Sequence, residues 1–214
     1  MPQPPWPAWL DPPPSFSREE LYVTLRYATR AAWHAILREH ELETFYVFGL
    51  LLSEDELTLS AVAASKQGLR KLPSATPVSQ DSSEEVMHRQ RWLDGEWPYQ
   101  EREAFAEVNR CLEELRQGFD RHLDARQSSS EFDRRWDSEW APLMVELRAL
   151  YGEVLRDLDA HGGFVMQPSR VMLGVFSSDV ELTKRSIKRL NPAHQAERVF
   201  RDMKRGRQLR RRLG

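Results

Sequence analysis

The chain carries a single cysteine, Cys111, among its 214 residues. That excludes an intramolecular disulfide framework and any all-cysteine metal site within one chain. It also accords with a reducing, cytoplasmic setting. No run approaches the roughly 18 uninterrupted apolar residues of a membrane span. The longest apolar run, Phe45 to Leu52, has a strand's length. The first residues, Met1 to Pro14, lack a positive start followed by an apolar stretch, so they do not read as a secretory signal. Glycine-rich phosphate loops are missing too: Gly162-Gly163 reads as a helix stop, not a dinucleotide fingerprint. There is no Gly-x-Ser-x-Gly elbow. The six histidines (34, 40, 88, 122, 161 and 194) include no pair four apart and no His-Glu-x-x-His. With these motifs missing, no catalytic residue, cofactor or metal site can be named, and the expectation leans away from an enzyme.

What is present suits a packed core. Hydrophobic residues make up 40% and charged residues 30%, too apolar a balance for disorder throughout. The length fits one large domain. We expect a proline-rich arm over 1–16, a single α/β domain over 17–203 and a basic tail over 204–214. Seven of the thirteen prolines fall at positions 2, 4, 5, 7, 12, 13 and 14, with Trp6 and Trp9 between them. This arm reads as extended and polyproline-like, its tryptophans either pinning it to the body or meeting a partner. The net charge of −2 hides an asymmetry. From Lys184 to Gly214, twelve Lys/Arg stand against Glu197 and Asp202, a surplus of +10, so the preceding 183 residues carry −12.

Ser17 followed by Glu20 forms a capping-box pattern. Leu21, Leu25, Ala28, Ala32 and Ile36 then recur at helical spacing to about Arg38. Two β-like runs follow, Thr44 to Leu52 and Leu57 to Ala64, and the acidic turn between them predicts a hairpin. A short helix is expected over Ser65 to Leu72, then a polar loop. Arg91 to Tyr99 reads as irregular. Phe105, Val108, Leu112, Leu115, Phe119 and Leu123 predict a long helix over 101–125. A second long helix is expected from a Ser138 cap, with Pro142 in its first turn, to the Gly162-Gly163 stop. Arg170 to Phe176 reads as a buried strand. Asp179 then caps a helix over Val180 to Leu190, and a terminal helix follows the Asn191-Pro192 break to about Lys204. Without a repeating βα unit, this order predicts an α+β domain: a small, mostly antiparallel sheet packed with several helices, two of them long.

The most unusual segment runs Arg91-Trp92-Leu93-Asp94-Gly95-Glu96-Trp97-Pro98-Tyr99. Large aromatics in irregular chain often build binding surfaces, with Arg91 and Glu96 pairing or holding a ligand. The competing reading puts Trp92, Trp97 and Tyr99 at the sheet edge as core. Asp179 reads first as a helix cap and second as part of a site at a strand end. Cys111 sits inside a helical stripe and reads as a structural thiol. Asp120, His122 and Asp124 point different ways on a helix, so they form no cluster. Trp136 and Trp140, four apart, share a helix face. The tail residues Lys204, Arg205, Arg207, Arg210, Arg211 and Arg212 suit salt-sensitive contact with nucleic-acid phosphates. A solvated terminus, or one folded back on the acidic body, is the competing reading.

The chain resembles a bacterial domain-of-unknown-function family, the one indexed 4303. The features that carry the resemblance are the early helix with Trp33, the run Thr44-Phe45-Tyr46-Val47-Phe48-Gly49-Leu50, and Arg91-Trp92 with Glu96-Trp97-Pro98-Tyr99. They continue with the strand ending Ser178-Asp179 and with Ser186, Leu190, Asn191 and Pro192. The resemblance covers roughly residues 17–192 and implies no established activity. It is similar in character to small α/β proteins around bacterial toxin systems, where immunity proteins are common. The leading expectation is therefore a protein-interaction module, of a toxin-neutralising immunity type, whose acidic surface suits a basic partner. The alternative is an enzyme or small-ligand binder with a pocket near Arg91, Trp92, Glu96, Trp97, Tyr99 and Asp179. A third reading is nucleic-acid binding through the tail.

Overall fold

The computed structural model describes residues 5–53, 58–71, 97–124, 134–164 and 170–213. Helix α1 spans Arg18–Glu39. Its capping box forms as expected: the Ser17 hydroxyl accepts from the Glu20 N–H at 3.1 Å, and the Ser17 N–H donates to the Glu20 carboxylate at 2.6 Å. Strands β1 (Phe45–Leu52) and β2 (Leu59–Ser65) pair as the expected antiparallel hairpin. The short helix α2 is Lys66–Lys71.

A third strand, β3 (Tyr99–Glu101), stands where the sequence suggested irregular chain, and it pairs antiparallel with β2. Helix α3 (Ala106–Asp124) follows a single 3₁₀ turn. The next helix does not begin at a Ser138 cap. A π-helical turn, Trp136–Trp140, runs straight into α4 (Ala141–Ala160) without any side-chain cap. Pro142 has no N–H to give to the residue 138 carbonyl. Immediately before it, the Ala141 N–H reaches back to the Trp136 carbonyl instead, which is the wider π spacing. Gly162, at φ 75°, ends α4, and the Gly163 N–H closes on the Leu158 carbonyl at 2.8 Å. Strand β4 (Met172–Phe176), α5 (Val180–Leu190) and α6 (Ala193–Leu213) complete the chain. Helix α6 thus continues well past Lys204.

The sheet order is β3-β2-β1-β4, with β1 and β4 parallel and the other pairs antiparallel. One face carries Phe48, Leu50, Leu173 and Val175 into the larger core, formed with α1, α3 and α4. Trp33 lies at its centre, 5.0 Å from the Phe48 ring and 5.5 Å from Phe45. The other face carries Val47, Val62, Met172 and Phe176 onto Ile187 of α5 and Ala196 and Val199 of α6. A register shift between Phe45 and Val47 lets Tyr46 and Val47 both serve this second face. The N-terminal arm is pinned by its tryptophans. The Trp6 indole donates to the Phe16 carbonyl at 2.7 Å, and Trp9 packs edge-on to Phe119.

Strand β4 is a sheet edge, and an open edge invites foreign strands. Here α5 closes it with side chains. The Asn191 amide donates to the Leu173 carbonyl at 2.7 Å and accepts from the Leu173 N–H at 2.9 Å. The Ser186 hydroxyl accepts from the Val175 N–H at 2.9 Å, and Thr183 accepts from the Ser177 N–H at 3.2 Å. Alternate residues of the strand are thereby satisfied as a neighbouring strand would satisfy them. Asn191→Ala leaves both peptide groups of Leu173 without partners in a buried site, a loss of about 2–4 kcal/mol. Urea unfolding should show it as a lowered midpoint at unchanged slope.

Candidate functional site

The edge closure places two charged helix faces beside each other. On α4, Val145, Arg148, Ala149, Gly152 and Arg156 follow i, i+3, i+4, i+7 and i+11, so they share a face beside the buried stripe. On α5, Leu182, Arg185, Ser186, Arg189 and Leu190 form the matching face. Helix α4 lies on the larger-core face of the sheet and α5 lies along the β4 edge, so the two faces meet over a groove of about 230 Å³. Leu52, at the end of β1, and Val175, near the end of β4, form its floor. The site therefore sits at the carboxyl ends of the two parallel strands, the usual place for ligand sites in open sheets.

Among the described residues, the groove lining contains four arginines and no Asp or Glu. Its hydroxyls are already engaged. Ser186 bonds to the carbonyls and N–H of the β4–α5 backbone, and Ser177 exchanges bonds with the Asp179 backbone. Neither hydroxyl has an imidazole or carboxylate partner among the described residues, so neither is set up as a nucleophile. The guanidiniums of Arg156, Arg185 and Arg189 are exposed and make no ion pair among the described residues. Arginine offers only donors and stays charged. The groove's uncommitted polar groups thus suit acceptor-only ligands such as carboxylates or phosphates.

Of the residues singled out in the sequence, Trp97, Tyr99 and Asp179 are described and do not line the groove. Arg91, Trp92 and Glu96 lie outside the described residues. Trp97 is 4% exposed and packs edge-on to Phe176 at 4.7 Å in the second core. That contact depends on the paired Gly49 and Gly174: a Cβ on Gly49 would lie 2.4 Å from the Phe176 ring and 2.1 Å from the Gly174 carbonyl oxygen. Tyr99 turns to the opposite face and joins the larger core. The two rings therefore enter different cores and share no surface. Asp179 accepts from the Glu181 and Leu182 N–H groups and caps α5. Lys204 and Arg205 are exposed on α6, and Arg207, Arg210, Arg211 and Arg212 fall within the same helix.

Other polar clusters are structural in their geometry. The Tyr99 phenol and the Ser65 hydroxyl both donate to Glu43, and the His40 ring lies 4.1 Å from that of Tyr99. Ser65 also accepts from the Gly68 N–H at 2.8 Å, fixing the start of α2. Cys111 is buried, and burial pushes its thiol up, which suppresses thiolate reactivity. His122 lies 2.8 Å from Glu139 and 2.7 Å from Arg135, away from Asp120, which pairs with Arg116 at 2.8 Å. Trp140 is buried, whereas Trp136 is 43% exposed. No helix among the described residues is long and apolar enough to cross a membrane.

The family model described as Domain of unknown function (DUF4303) matches residues 25–192. The chain belongs to the DUF4303 family. The matched region takes in the four described strands, both groove helices and the Ser186 and Asn191 edge closure. It excludes α6 and the tryptophan-pinned arm. No curated protein and no solved structure matches the chain. For this DUF4303 member the groove arginines were the residues that sequence reading missed. The one local signal was Gly152 inside an otherwise strong helix, at a cost of about 1 kcal/mol relative to alanine.

The Tyr99 phenol yields a pH prediction. Burial, then its bond to Glu43, pushes its pKa up to about 12. An unfolded tyrosine loses its proton near pH 10. The folded state holds the proton more tightly, so this stabilisation is complete below pH 10 and is lost as pH rises towards about 12. Alkaline urea titrations should show wild type losing stability relative to Tyr99→Phe across that window.

Proposed function

We propose that this protein is a cytoplasmic binding module of bacteria that captures an acidic partner protein through the α4–α5 groove. One observation carries the reading: four arginines converge over an apolar floor, with no acid among the described residues of the lining. Fields of this kind accelerate the encounter with a negatively charged surface, and the apolar floor supplies area to be buried in the complex. The engaged state of Ser177 and Ser186 favours binding over bond-making chemistry. The burial of Trp97 and the capping role of Asp179 weigh against a ligand pocket on the aromatic segment.

Toxin neutralisation is a second reading, and the −12 carried ahead of Lys184 favours it. There the partner is basic and the contact lies on acidic surface away from the groove.

The two readings separate in one experiment. The tagged full chain is mixed with lysate of its native host at physiological salt, and recovered proteins are identified by mass spectrometry. The groove reading expects a partner that is at least tenfold depleted on the Arg156→Glu/Arg185→Glu/Arg189→Glu protein. These side chains are exposed, so the variant should keep its circular dichroism spectrum. Equal recovery on both proteins removes the groove reading, and a basic protein recovered equally on both supports neutralisation.

A further inference from the structure

We infer that the element received by the groove is an acidic amphipathic helix of the partner. This rests on the binding reading above and adds the chemistry of the partner. The α4 rim runs from Val145 to Arg156, eleven residues and therefore about 16 Å or three turns along the axis. The α5 rim carries Arg185 and Arg189, one turn or about 6 Å apart. Between the rims lies an apolar floor, and it continues outward onto Val145, a residue that is 60% exposed. Ala149 and Gly152 keep the α4 wall low, and a Cβ at Gly152 would meet nothing within 4 Å. A partner backbone can therefore come close along that wall.

An occupant that matches all of this needs apolar side chains along its middle, carboxylates on both flanks and a length of about three turns. An amphipathic helix with apolar residues at i, i+3, i+4 and i+7 and Asp or Glu beside them has that form. A compact anion such as phosphate spans one arginine pair at most and leaves the floor and Val145 in water. A nucleic-acid backbone supplies the charge but has no apolar stripe for the floor.

Fluorescence anisotropy with the full chain tests the inference. The probe is a labelled, end-blocked sixteen-residue peptide with leucines at helical spacing flanked by glutamates. The controls are a scramble of the same composition and a single-stranded oligonucleotide of similar charge. The patterned peptide should bind at least tenfold more tightly than the scramble, weaken with salt and gain helical circular dichroism on binding. Gly152→Leu fills open space in the groove, so it should cut peptide affinity at least tenfold while leaving the melting temperature unchanged or raised. Equal binding of pattern and scramble, undiminished binding to Gly152→Leu, no peptide binding at all, or preference for the oligonucleotide each overturns the acidic-helix inference. If the peptide fails while the arginine reversals still deplete a host partner, the binding reading stands and only the helix chemistry falls. If the reversals deplete nothing, the binding reading itself falls.

Discussion

The closure of the β4 edge is the constraint on which the rest of the molecule depends. A four-stranded sheet has two edges, and each must be hidden from other strands. At β4 the partner is a helix. Thr183, Ser186 and Asn191 reach the backbone of Ser177, Val175 and Leu173 in reverse order along the chain, so α5 must run antiparallel to the strand. That orientation sends Ile187 into the second core and Leu190 into the larger one. A single short helix thereby ties the two cores together. Its outer face, with Arg185 and Arg189, is left opposite α4. The groove follows from the way the edge is closed.

The opposite edge is closed by different means. Strand β3 has three residues, too few to offer a long template, and its flanks are covered by aromatic rings. Trp97 crosses the second face to reach Phe176 on β4, and the facing glycines of β1 and β4 make room for that ring. Tyr99 covers the other face, held by Glu43 and with its ring tilted against that of His40. Short length and bulky cover protect β3, whereas hydrogen-bonding side chains protect β4. The second solution keeps the β4 side polar enough to carry a charged groove.

Much of the fold was legible because it is local. The Ser17–Glu20 box, the Gly162-Gly163 stop and the Asp179 cap each depend on residues within a few positions, and each forms where the pattern places it. The hydrophobic periods of α1, α3 and α4 held for the same reason. What was not legible depends on distant partners. Three residues of β3 cannot show an alternation, and only pairing with β2 makes them a strand. Ser138 resembles a cap, but the preceding chain is already helical and the missing Pro142 N–H is absorbed as a π turn. Asn191 read as a helix breaker, and its pairing with Leu173, eighteen residues earlier, has no sequence signature. The groove was hidden for the same reason. Arg148 and Arg156, like Arg185 and Arg189, each look like one solvated helix face until the sheet edge brings the two faces together.

The distribution of charge on α4 shows why that convergence points to a ligand. Its acids face the N-terminal part of the chain, where Glu146 pairs with Arg18 at 2.5 Å and Asp157 with Arg26 at 2.6 Å. At the helix end, Asp159 pairs with Arg170 at 2.5 Å. On α3, Arg116 likewise lies between Glu113 and Asp120. Arginines across much of the body therefore have carboxylates at hand, whereas Arg156, Arg185 and Arg189 make no ion pair among the described residues. Like charges one helical turn apart in water repel by roughly 0.5–1 kcal/mol before salt screening. The fold tolerates this because backbone bonds and two cores hold α4 and α5 in place regardless of what the guanidiniums prefer. An occupant bearing carboxylates relieves that repulsion when it binds. Its affinity then draws on that relief as well as on the apolar area it covers.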